Sequence, residues 1–406
     1  MTSPVDTSVK HFSSAMVNAP VVNGVVGAGI AWLDALLLTG FDTKTLTSLV
    51  VAGGVATATF TGSHSAITDS VILVAGVTGG PTGFANLNGE QKVTGRPLTT
   101  TLTFATAVPD GTYTGTITIK MAPAGWTKVF TGTNKAVYKS SDPAGSGMLL
   151  RVDDTNAQVM RITGYEAMTD VDTGTGAFPL AGQISGGGYW PKSNVASSAP
   201  VAWAFAADSR LFYHSIQTGY SQTVAQQISS IRGFGDPIAL RPSGDVYSCI
   251  LTVSNSVTVS SVVGCLGNNL DAVTYSPRAY SGLGSAVAHS AYNWGFGNGA
   301  GAYVSGVTAT IHGAFPNPVD GALYLAKKIT AQSGTVNPRA ELPGLYVGLQ
   351  SGLWDFFKLG DRTPGTGALV GRNLMAWTCA SSSATTASST SANTGIAFID
   401  VTGPWR

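Results

Sequence analysis

Charge is the scarcest property of this chain. Only 11% of its 406 residues are Asp, Glu, Lys or Arg, against roughly 25% in ordinary soluble domains. The 22 basic and 21 acidic residues nearly cancel, at a formal net charge of +1. No basic stripe is left to follow a phosphate backbone, so a nucleic-acid partner is not expected. Cysteine is almost missing. Cys249, Cys265 and Cys379 are an odd set without CxxC spacing, which argues against a disulfide framework or a zinc site. Free thiols in a reducing cytoplasm are the expectation, with a hairpin bridge between Cys249 and Cys265 left open. The five histidines (His11, His64, His214, His289 and His312) never fall at i, i+4 or HxH spacing, so no local metal motif exists. GxSxG and GxxxxGK[ST] motifs are absent too, and Gly295-Phe296-Gly297 gives only part of a dinucleotide fingerprint. No catalytic, metal or cofactor-binding residue is assigned on these grounds, and no cofactor is expected. Long apolar runs are lacking. Val25–Leu38 is broken by Gly27, Gly29 and Asp34 and is shorter than the ~20 residues of a spanning helix, so no membrane span is expected. Met1–Lys10 lacks the basic start and apolar core of a secretory signal.

Glycine, by contrast, is abundant at 51 residues, nearly twice its usual share of about 7%. Many turns and little charge point to an all-β protein. The stretch Leu46–Lys120 sets alternating apolar residues between the dipeptides Gly53-Gly54, Asn88-Gly89 and Asp110-Gly111. Such dipeptides supply the positive φ of two-residue hairpins. In Thr112–Lys120, Tyr113, Ile117 and Ile119 share one face and threonines fill the other, the pattern of a half-buried strand.

The organisation expected is an N-terminal arm with a short helix (1–40), an Ig-like or small-sandwich β-module (41–121), a second β-rich region (122–192) and a C-terminal β-domain (200–406). Whether 41–192 is one domain or two stays open. The helix would bury Trp32, Leu36 and Leu33 and end at Gly40. The second region carries strands near 126–130, 136–139, 148–152 and 159–166. The C-terminal domain carries them near 201–206, 211–216, 246–253, 257–263, 323–325, 345–349 and 396–401. The Gly-rich 294–302 and the Ser/Thr/Ala-rich 379–394 read as loops.

Asp172-Thr173-Gly174 matches an aspartic-protease tripeptide, but that chemistry needs two carboxylate loops and only one is present, so a turn is the expectation. Asp153, Asp154, Glu166, Asp170 and Asp172 could supply oxygen ligands to a hard cation, yet they lack EF-hand order, and solvated loop carboxylates are the simpler reading. The aromatics Trp126, Tyr189, Trp190, Trp203, Tyr213, Tyr292, Trp294, Trp354, Phe356, Phe357, Trp377 and Trp405 are read as core or subunit-interface residues rather than sugar platforms. Trp32, Leu36, Leu37 and Trp405 are the candidate oligomer-interface residues, with the N-terminal arm and helix the first candidate for docking onto a neighbour.

Several phrases resemble structural virion proteins of tailed bacteriophages, associated with the tail, baseplate or connector. They are Val9-Lys10, Ala15-Met16 and Ala19-Pro20-Val21 ahead of the apolar helix, then SLVVAGGVATAT, Leu87-Asn88-Gly89-Glu90 and AGWTKVFTGTNKAVY. LRVDDT, GYEAMTDVDTGTG, GGGYWPK and the terminal IDVTGPWR complete the set. The likeness covers most of Met1–Lys192 and the extreme C-terminus and thins out between Ser193 and Thr394. It implies a non-enzymatic virion component assembled in the host bacterial cytoplasm as a symmetric homo-oligomer, with other phage structural proteins as partners. It carries no catalytic residues. The rival readings are a receptor-binding fibre or capsid decoration protein contacting host-surface glycans, and a tail-borne depolymerase. The depolymerase would usually show a β-solenoid repeat that this sequence lacks.

Overall fold

The computed structural model describes residues 3–218, 229–255, 257, 266, 273–293, 313–332, 338–350, 352–380 and 394–406. Cys265, His312, Trp294, the Gly-rich 294–302, residues 258–263 and residues 381–393 lie outside them.

The protein is all-β, as its glycine-punctuated alternation implies. The N-terminal arm forms a strand, β1 (Lys10–Ser13), and then α1 (Ala28–Asp34), which runs into a π-type turn over Ala35–Thr39. Trp32 and Leu33 of α1 and Leu36 and Leu37 of the turn are buried, the expected apolar stripe. Gly40, at φ 71°, ends the turn by donating its N–H to the Ala35 carbonyl.

Seven strands follow: β2 (Phe41–Ala52), β3 (Val55–Phe60), β4 (Val71–Ala75), β5 (Gly89–Leu98), β6 (Thr101–Ala105), β7 (Gly111–Tyr113) and β8 (Thr118–Met121). The pairing runs β3-β6-β5-β4-β8-β2, and β3 also pairs β2. The sheet therefore closes on itself, so the two separate sheets of an Ig-like module are not what forms. Gly53-Gly54 makes the β2–β3 hairpin, with positive φ at both residues. The other two dipeptides do not make hairpins. Asn88 turns its side-chain amide back onto the N–H and C=O of Val77, pinning the loop between β4 and β5. Asp110 accepts from the Gly53 N–H across the module. The β5–β6 connection is Thr99-Thr100, which carries no turn signal. Thr112–Lys120 keeps its alternating burial but is broken into β7 and β8. The break comes where Gly115, at φ 134°, packs so close to Gly76 that a Cβ would sit 2.1 Å from its carbonyl oxygen.

The second region is a sheet of β9 (Trp126–Gly132), β10 (Lys135–Ser140), β11 (Leu149–Asp153), β12 (Val159–Tyr165) and β15 (Gly188–Pro191), in the order β15-β12-β11-β10-β9. A small hairpin, β13 (Ala167–Met168) and β14 (Gly174–Thr175), lies beside it.

The C-terminal strands are β16 (Trp203–Ala207), β17 (Leu211–Gln217), β18 (Ser229–Gly235), β19 (Ile238–Ala239), β20 (Ile250–Val253), β21 (Val273–Ser276) and β22 (Val287–Asn293). After these come β23 (Leu325–Gln332), β24 (Pro338–Gly348), the single-turn helix α2 (Leu353–Phe356), β25 (Arg362–Pro364), β26 (Asn373–Ala380) and β27 (Thr394–Asp400). Strands β18-β20-β21-β22-β23-β24-β27-β26 run in sequence of pairing, and Ser229 on β18 meets Ala380 on β26 to close them as a barrel. β17 and β16 extend the sheet from β18, and β1 of the N-terminal arm pairs with β16. The arm is thus an outer strand of its own C-terminal sheet.

One hydrophobic core runs through the first module, α1, the second sheet and one face of β16–β18. Trp32 is its hinge, meeting Trp203, Phe205 and His214 edge-on at centroid distances of 5.6, 5.6 and 5.7 Å. Alternate residues of the barrel strands face two further clusters, Met375, Trp377, Ala397 and Ile399 in one and Leu374, Ala376, Ile396 and Phe398 in the other. That is the period-2 division of a strand buried on both faces.

Candidate interaction surface

The apolar residues expected at a subunit interface lie inside the chain. Trp32, Leu36 and Leu37 have no exposed surface and Trp405 retains 7%. Trp405 sits against Tyr213 and donates its indole N–H to the Asp400 carbonyl at 2.8 Å. The apolar stripe did mark burial, but its partner is the chain's own core. Trp126, Trp190, Trp203, Tyr213, Phe357 and Trp377 are buried as well. Tyr189, half-buried, stacks under Arg161 at 4.1 Å. Among the described side chains of the group, Phe356 faces outward, at 59% exposure. The side chains of Tyr292, Trp354 and Cys379 and all of Trp294 lie outside what the structure describes.

The acidic cluster disperses onto separate basic partners. Arg151 and Lys135 hold Asp172, and Arg151 also reaches Asp153. Arg278 makes a two-pronged bond to Glu166, both contacts at 2.8 Å, and lies over Tyr247. Asp170 accepts from the N–H groups of Asp172 and Thr173, so the Asp-Thr-Gly tripeptide is a side-chain-capped turn. Among the described residues no three His, Cys, Asp or Glu side chains converge as a metal site. His11, His64, His214 and His289 are all buried. Burial pushes each below the usual histidine range, His64 to about 4 and His289 to about 3. Cys249 is free and buried, and burial pushes its thiol up, the state of an unreactive cysteine.

The fifth acid of the cluster, Asp154, sits in the interior. It follows β11 and contacts Lys192, which follows β15, and neither side chain has exposed surface. Asp154 anchors the loop that leads into α1. Its carbonyl accepts from Gly27, and its Oδ2 accepts from the N–H groups of Gly29 at 2.8 Å and Ile30 at 3.3 Å. Lys192 Nζ donates to the Val25 carbonyl at 2.8 Å.

Above this anchor the loop presents an uncharged apolar surface. Val22 is buried through its bridge to Val201, so Val21, next in the alternation, faces out at 49% exposure. Val25 and Val26 follow at 43% and 41%, and Val195 on the neighbouring loop at 50%. The two loops are tied by Gly24, whose N–H donates to the Ser197 carbonyl at 2.9 Å, and by the Asn23 amide on the Ser198 carbonyl. Only glycine fits at residue 24, because a Cβ there would stand 1.9 Å from the Val195 carbonyl oxygen. No charged residue occurs in 17–33 or 193–207. Four exposed valines thus stand on two loops whose backbones are tied together, where a contiguous apolar patch would mark a contact surface. In the sequence they look like scattered loop residues, because the two segments that form the surface are far apart along the chain.

No helix among the described residues is long and apolar enough to cross a membrane. No family model matches the chain, and no curated protein or solved structure matches it.

Proposed function

We propose that this chain is a non-enzymatic structural subunit of a tailed-bacteriophage virion, assembling as a symmetric homo-oligomer in the tail, baseplate or head–tail connector region. The observation that carries the reading is the exposed valine surface formed by Val21, Val25, Val26 and Val195 on charge-free loops. With a net charge of +1, little electrostatic repulsion opposes the approach of further copies. Apolar side chains on uncharged loops also set no like charge against a second copy of themselves. The phage-like phrases support the same reading. They fall largely on structural elements, with SLVVAGGVATAT forming the β2–β3 hairpin, AGWTKVFTGTNKAVY the β9–β10 hairpin and GGGYWPK the strand β15.

Sedimentation of the purified chain tests the reading. The expected result is a discrete oligomer that Val25→Asp together with Val195→Asp converts to monomer while the fold is kept. An oligomer indifferent to that pair of changes, or hydrolysis of cell-wall or capsular glycan by the wild type, overturns it.

A further inference from the structure

Lys192 and Asp154 are arranged as reactants. Both side chains are sealed from solvent and in contact through Nζ and Oδ1. The space over them is closed by Met160 and by the lysine's own stem. A Cβ on Gly29 would fall 2.3 Å from Met160 Sδ and 3.1 Å from Lys192 Cδ. Burial pushes the Asp154 carboxyl up and the Lys192 amine down. Both directions favour moving the proton onto the carboxyl group, leaving a carboxylic acid facing a free amine. Oδ2, the oxygen turned from the lysine, already accepts two backbone N–H groups, from Gly29 and Ile30.

We propose that Lys192 and Asp154 condense into an isopeptide bond within the folded chain. The Nζ lone pair adds to Asp154 Cγ, and the displaced C=O electron pair moves to Oδ2. There the N–H groups of Gly29 and Ile30 stabilise the oxyanion, as preorganised donors do in acyl transfer. A proton passes from Nζ to the Oδ1 hydroxyl, the Cγ–Oδ1 bond breaks, and Oδ1 leaves as water. The atoms balance as amine plus acid giving amide plus water, with no outside reagent. Well-oriented groups held in contact reach effective molarities of about 10⁵–10⁸ M, which offsets the cost of condensation in water. The product fits the same surroundings. Its amide N–H donates to the Val25 carbonyl and its C=O accepts from Gly29 and Ile30, and two buried ionisable groups are gone. Tyr138 feels the charge of Asp154, but its hydroxyl donates to Asp34 at 2.8 Å, so the proton moves between the pair's own atoms and the bond forms slowly after folding. The link joins residues 38 positions apart and fixes the base of the valine-bearing loop. The proposal does not depend on the assembly reading.

Mass spectrometry of the full-length chain, stored folded and then denatured, decides it. The intact mass is expected to fall one water below that of the sequence. Tryptic digestion is expected to give a branched species in which 152–161 is joined to 162–210, since an amide on Lys192 blocks cleavage there. Fragmentation must show two N-termini, which separates this species from an uncleaved linear 152–210. Lys192→Met and Asp154→Ala are each expected to restore the unreduced mass. If either variant does not fold, the wild-type mass and branch still decide the matter. A wild-type mass equal to the sequence, peptide 162–192 recovered in full, or water loss located at another residue overturns the proposal.

Discussion

Replacing Trp32 separates a core role from an interface role. The side chain is fully buried and meets Trp203, Phe205 and His214 edge-on. Truncating a buried tryptophan to alanine costs about 3–5 kcal/mol through lost contacts and the cavity left behind. Edge-on aromatic pairs contribute roughly 0.5–1.5 kcal/mol each beyond their buried area. One term opposes this, because the indole Nε1 of Trp32 has no hydrogen-bond partner, and deleting an unpaired buried donor recovers about 1–3 kcal/mol. Trp32→Ala is therefore expected near the low end, about 3 kcal/mol. Trp32→Phe keeps most ring contacts and removes the unpaired N–H, so it is expected within about 1 kcal/mol of wild type. Against a total stability of about 5–15 kcal/mol, the alanine change is a large fraction. Urea unfolding gives both values as midpoint shifts at unchanged slope. Because one core joins the first module, α1 and the second sheet, both variants should unfold these parts in one transition. A Trp32→Ala loss below about 0.5 kcal/mol, or Trp32→Phe as costly as Trp32→Ala, refutes the reasoning, since a residue waiting for a partner subunit would behave in the first way.

Acid should destabilise the fold through its buried histidines. Unfolded histidine takes up a proton below about pH 6.5, whereas folded His64 and His289 do so only near 4 and 3. Their contribution is therefore complete above pH 6.5 and falls on the way down, by about 1.4 kcal/mol per pH unit for each group. Unfolding measured between pH 7 and 5 should show this slope, and His64→Gln should flatten it; an unchanged slope contradicts the account. Gly24→Ala forces a Cβ onto the Val195 carbonyl and should cost about 1–3 kcal/mol in thermal or urea unfolding, by the strain of overpacking. A neutral result means that the two loops can part freely. Glu166→Gln breaks the two-pronged bond to a half-exposed Arg278 and should cost only about 1 kcal/mol by urea unfolding. A loss above about 3 kcal/mol would make this pair, rather than the shared core, the main tie between second region and barrel.

How far the sequence could be read depended on the range of each interaction. The stripe of Trp32, Leu33 and Leu36 and the turn at Gly53-Gly54 are local patterns, and both formed as their residues imply. Asn88-Gly89 and Asp110-Gly111 carry the same local signal. There the side chains of Asn88 and Asp110 bond Val77 and Gly53, contacts that turn preferences do not encode. The acidic cluster looked like a group because its members are close in sequence. Its partners are not close: Arg278 lies 112 positions from Glu166, and Lys192 reaches Asp154 only after β12 and β15 have paired. The exposed valines were hidden for the same reason, since the loops that carry Val25 and Val195 are tied through the backbone of Gly24. An apolar stripe announces burial without naming what buries it, which is why Trp32, Leu36, Leu37 and Trp405 could be taken for interface residues.

The proposed role makes this chain a virion building block that meets its neighbours through Val21, Val25, Val26 and Val195. A side-chain-resolution map of virus particles produced from the genome that carries its gene tests this most directly. The expected result is copies of the chain related by rotational symmetry, with Val21, Val25, Val26 and Val195 packed against an adjoining subunit. Particles without the chain, or copies whose valine surface faces open solvent, would contradict it.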